Sequence, residues 1–96
     1  MDRDTIVENL RGRLPELRAR GIKTLVLFGP VARGEAGPGS EVDFLLELHP
    51  PLTFEHYREV REHLRQLLGR PVEIVLESPH HPLVWPLIED EAVFLL

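Results

Sequence analysis

Three carboxylates carry the clearest chemical signal in this sequence: Glu41 and Asp43 in Ser40-Glu41-Val42-Asp43, and Glu73 in Val72-Glu73-Ile74. A strand presents residues i and i+2 on one face, so Glu41 and Asp43 converge while Val42 points the other way. If the strand of Glu73 pairs alongside, a third carboxylate joins them and Val72 and Ile74 turn to the core. Magnesium takes hard oxygen ligands in an octahedron and keeps waters and substrate phosphates in its shell, so two or three carboxylates suffice and a nucleotide can complete the site. A solvated strand mouth for Glu41 and Asp43, and an exposed edge position for Glu73, are the competing readings.

Upstream, the run Lys23–Phe28 ends at Gly29-Pro30 and a helical turn over Val31–Arg33. Backbone N–H groups and the dipole of such a turn can face a phosphate, and Arg33 could add charge.

The spacing Gly29-Pro30, ten residues, Glu41-Val42-Asp43 is flanked by LFG before it, ARGEA after the dipeptide and Ser40 directly before the acidic pair. This pattern resembles the Gly-Ser, spacer, Asp-x-Asp motif of the DNA polymerase β-like nucleotidyltransferases, and within them the minimal, MntA-type antitoxins. The resemblance covers nearly the whole chain, from the Leu14-Pro15 break to the late run Val72–Val75. It implies a nucleotidyltransferase fold in which Gly29, Pro30, Arg33 and Ser40 hold the phosphates of ATP. It further implies that Glu41, Asp43 and Glu73 are catalytic and bind two magnesium ions. The implied reaction moves AMP to a hydroxyl on a partner protein, a HEPN-type toxin.

Two features depart from the motif. Pro30 stands where the family has serine and lacks both the hydroxyl and the backbone N–H. Hydrogen bonds to charged groups contribute roughly 1.5–3 kcal/mol each, so the two together amount to roughly 3–6 kcal/mol. Proline is nevertheless favoured at the first helical position, so the turn itself should survive. Glu41 and Glu73 carry one more methylene than aspartate, which displaces any metal they bind. The second expectation is therefore a degenerate binding module that neutralises or scaffolds its partner by contact.

The elements that must position these residues follow from periodicity. Ile6, Val7, Leu10, Leu14 and Leu17 mark one face of a helix over Asp4–Arg20, capped by Asp4, broken near Leu14 by Pro15 and stopped at Gly21. Lys23–Phe28 and Val42–Leu48 read as buried strands, and Val72–Leu76 as a third. Between the last two, Thr53 caps a helix with the stripe Phe54, Tyr57, Val60, Leu64, Leu67 and Leu68, closed by Gly69 and Pro71. A helical crossover of this kind makes the strands it joins parallel. A short helix over Val84–Asp90, with Trp85 in the core, and a strand-like Ala92–Leu96 complete the chain. The fold class is α+β: a small mixed sheet of three to four strands with helices packed on it.

Composition bounds the rest. At 96 residues the chain makes one domain, residues 1–96, so a second functional half would come from another chain. With no cysteine, disulfides and thiolate metal sites are excluded, and no apolar run reaches membrane-spanning length, consistent with a cytoplasmic protein. A net charge of −5 argues against general nucleic-acid affinity. The mixed charges of the long helix read as a solvated face, and His56, His63, His80 and His81 as surface histidines.

Overall fold

The computed structural model describes residues 1–96. Helix α1 (Arg3–Arg11) is capped by Asp2, whose Oδ1 accepts from the Thr5 N–H at 2.9 Å. The expected cap Asp4 instead lies in the first helical turn, where its charge complements the helix dipole. Pro15 falls in the first turn of α2 (Leu14–Ala19), the one helical location that tolerates a missing N–H. The chain thus forms two short helices, as the sequence predicts.

Strand β1 (Ile22–Phe28) leads into the single-turn α3 (Gly29–Ala32), and β2 (Val42–Leu48) follows after a loop. Helix α4 (Phe54–Leu68) starts at Thr53, whose hydroxyl accepts from the His56 N–H at 3.1 Å. It ends at Gly69, where φ is +63°. Strand β3 (Val72–Leu76), helix α5 (Trp85–Ile88) and the two-residue strand β4 (Val93–Phe94) complete the fold.

The last two elements are shorter than Val84–Asp90 and Ala92–Leu96. Pro86 sits at the start of α5, and the Glu91 and Ala92 N–H groups both close onto the Ile88 carbonyl, turning the chain out of the helix. Beyond β4, Leu95 and Leu96 remain tied to the backbone of Leu25.

The sheet order is β3-β2-β1-β4. β1 runs antiparallel to β2 and β4, whereas β2 and β3 are parallel, as the α4 crossover requires. Alternation separates two faces. One carries Leu25, Leu27, Val42, Phe44, Leu46 and Val72, buried against Ile6, Leu10, Leu17, Val60 and Leu64 of the three longer helices. The other buries only Val26 and Leu45 against Ile88 of α5, with Phe28, Val84, Trp85 and Ala92 partly covering them. No helix is long and apolar enough to cross a membrane.

Candidate active site

The acidic residues lie on the sparsely covered face. Asp43 is in register with Phe28 of β1 on one side and with Glu73 of β3 on the other. Glu41 is two residues before Asp43, just outside β2. Oxygen atoms from Glu41, Asp43 and Glu73 all lie within 4.8 Å of one another. The parallel pairing of β2 with β3 therefore assembles the predicted constellation.

Such proximity makes full ionisation costly. The Glu41 carboxyl is pushed above its ordinary value by hydrogen bonding to Glu73 and by repulsion from Glu73 and Asp43. Asp43 is raised first by burial and then by Glu73 and Glu91, against the opposing pull of Arg33. A divalent cation would relieve this repulsion, and the hard, all-oxygen donor set suits magnesium.

Gly29 brings the turn after β1 into contact with this cluster. Its φ is +79°, and a Cβ there would lie 2.5 Å from Asp43 Oδ2. Both the backbone conformation and the close approach demand glycine. Pro30 occupies the first turn of α3, so the turn survives the loss of the motif serine but has no N–H at that position.

Arg33 is placed beside the turn, but its charge is already engaged. Its Nε meets Glu35 Oε2 at 2.8 Å and its Nη1 meets Glu91 Oε2 at 3.0 Å, which raises its pKa. Glu91 Oε2 also accepts from the Gly29 N–H. Nothing in sequence singles out Glu91, the last of three consecutive acidic residues and 62 positions from Gly29.

Ser40 is held through its backbone. The buried Arg70 donates from Nε and Nη2 to the Ser40 carbonyl at 3.0 and 2.7 Å, from Nη2 to Gly37 and from Nη1 to Met1. The Val42 N–H adds a bond to the Pro71 carbonyl at 2.9 Å. Residues 69–71 thus fix the segment that delivers Glu41 and Asp43. Only the placement of Arg70 between the helix-ending Gly69 and Pro71 hinted at this role.

A cavity of about 340 Å³ adjoins the turn. Gly29, Arg33 and Glu91 form its polar part, and Leu45, Val75 and Leu87 are among the apolar residues of its wall.

Two of the histidines differ from expectation, whereas His80 is exposed as expected. His63 is nearly covered, with Nε2 3.3 Å from Glu16 Oε1 but outside hydrogen-bond geometry. His56 contacts the Arg20 carbonyl through Nε2. Both lie on the face of α4 turned to α2, because helical spacing of seven returns to the same side.

The chain is similar to known proteins in sequence and in fold. The protein adenylyltransferase MntA of Thermococcus cleftensis is 38% identical over 64 residues, covering 66% of this chain and 65% of that protein. A solved structure described as a "putative minimal nucleotidyltransferase" superposes with a TM-score of 0.77 at 30% identity, covering 97% of this chain and 95% of the other. The MNT antitoxin complex with the tri-AMPylated HEPN toxin of Shewanella oneidensis shares the fold, with a TM-score of 0.61 at 14% identity over 94% of this chain and 71% of that one. With residues 7–95 matching the family model, the chain belongs to the nucleotidyltransferase domain family.

Proposed function

We propose that this chain transfers AMP from ATP to a hydroxyl of a HEPN-type partner protein in the cytoplasm, as the antitoxin of a toxin–antitoxin pair. The observation that carries this reading is the convergence of Glu41, Asp43 and Glu73 against the Gly29 turn. In this reading, the attacking hydroxyl forms a bond to the α-phosphorus and gives its proton to Glu73. The bond to the pyrophosphate oxygen breaks, and pyrophosphate leaves. Glu41, Asp43 and Glu73 would hold two magnesium ions, which when bound neutralise charge on the attacking and leaving oxygens. Gly29, Arg33 and Ser40 orient the phosphates, and Pro30 limits the rate by withholding two donors. In this reading the partner supplies the acceptor hydroxyl.

A second reading, a module that silences its partner by contact alone, is favoured by Pro30 and by the engagement of the Gly29 N–H with Glu91. The two separate when purified protein is incubated with magnesium, α-labelled ATP and the co-encoded partner. Label on the partner, lost in Asp43→Ala and increased in Pro30→Ser, is expected for the transferase. No label with any nucleoside triphosphate, together with undiminished neutralisation of the partner, would establish the contact mechanism instead.

A further inference from the structure

The two donors expected to receive a phosphate, the Gly29 N–H and the Arg33 guanidinium, are both engaged by one internal carboxylate. Granted that the turn binds a triphosphate as proposed above, we propose that Glu91 sets nucleotide affinity by competing with the triphosphate for Gly29 and Arg33.

The geometry is that of an anion seated in an anion site. Glu91 Oε2 accepts from Gly29, and Arg33 Nη1 reaches both carboxylate oxygens, at 3.0 and 3.2 Å. Because Arg33 also pairs with Glu35, one positive charge already faces two negative ones. A phosphate arriving at this turn therefore meets a neutralised guanidinium.

The two acidic partners of Arg33 are not equivalent. The Glu35 side chain is 57% exposed and its pairing is screened by water, whereas the Glu91 side chain is only 13% exposed. A desolvated, charge-assisted contact is the stronger of the two. Glu91 lies three residues beyond the end of α5, with its N–H on the Ile88 carbonyl, and its side chain lines the cavity beside the turn. Rotation about its side-chain bonds releases both donors without moving the sheet.

A purely structural staple would have another signature: losing it would lower stability and leave the nucleotide affinity where it was. Calorimetric titration of ATP with magnesium into the wild type and Glu91→Gln separates the two roles. The amide keeps the shape but cannot compete as an anion, so Glu91→Gln should bind ATP about tenfold more tightly. Glu91→Asp, one methylene shorter, should show a smaller gain and serves if the glutamine variant does not fold. Equal or weaker binding by folded variants, with clear binding by the wild type, overturns the competition. Absence of binding by the wild type and both variants overturns the nucleotide-binding reading itself and the competition with it.

Discussion

The two faces of the sheet are built to different ends. The face under α1, α2 and α4 gathers a cluster of sixteen buried apolar residues, whereas the face under α5 gathers three and leaves its remaining row to carboxylates. Adjacent residues of β2 make the contrast direct, since Phe44 is wholly buried on the first face and Asp43 lies on the second beside Glu73. Stability and chemistry are thus assigned to opposite sides of one strand. The nearly complete burial of the packed side stabilises the sheet on which the mutually repelling carboxylates of the other side converge.

The largest test of this division compares two neighbouring side chains. Phe44→Ala should lower the unfolding free energy by about 3–5 kcal/mol, because a large cavity opens in a core that three helices prevent from collapsing. Leu45→Ala, on the opposite face, should cost about 2 kcal/mol, since the short α5 can settle onto the gap. Urea titrations of the two variants measure the difference. Equal losses would mean that α5 supports the sheet as firmly as the longer helices do.

That asymmetry also governs what could be read from the residues alone. The packed face was legible because burial imposes periodicity: the i, i+3, i+4 stripe of α4 and the apolar runs of β1 and β2 leave few alternatives. The parallel pairing of β2 with β3 followed from the crossover, and with it the meeting of Asp43 and Glu73. The open face was legible only where a motif marked it. Glu91 and Arg70 act through long-range contacts, among them those with Gly29 and Ser40, and a contact across 62 or 30 positions leaves no period in the chain. The cap at Asp2 was missed because Asp2 and Asp4 present the same side chain two residues apart, and only backbone geometry decides between them. Arg33 stands beside the turn, but its partners Glu35 and Glu91, which no spacing announces, change its charge balance.

A smaller effect of opposite sign is expected on the open face. Because the folded pKa of Asp43 is raised, its contribution favours folding below the unfolded value and is lost as pH rises through the folded one. At pH 7 the charged form therefore opposes folding, chiefly through burial and the repulsion from Glu73. Asp43→Asn should then raise Tm by about 2–4 °C, after allowance for solvent screening of a half-buried group, while label transfer to the partner disappears. Thermal melts in a chelating buffer make the measurement free of bound cations. An unchanged or lower Tm would show that the carboxylate cluster is not held at the expense of stability.

The smallest effect belongs to the packed side and has its own pH dependence. His63 has a lowered pKa, first from burial and then from the nearby charge of Arg20, with Glu16 opposing and Arg13 adding to the shift. The unfolded chain therefore binds this proton more readily than the folded one, so stability is complete above about pH 6.5 and falls as pH drops below it. The step should be slight, about 2 °C in Tm between pH 7.5 and 5.5, because Glu16 compensates part of the imidazolium charge. His63→Gln should remove it. The carboxylates of the open face contribute with the opposite sign, protonation there relieving repulsion, so the difference between the wild type and His63→Gln isolates the share of the imidazole. If the wild type and His63→Gln lose stability equally over that interval, His63 is not the group responsible, and the α2–α4 contact is insensitive to its protonation.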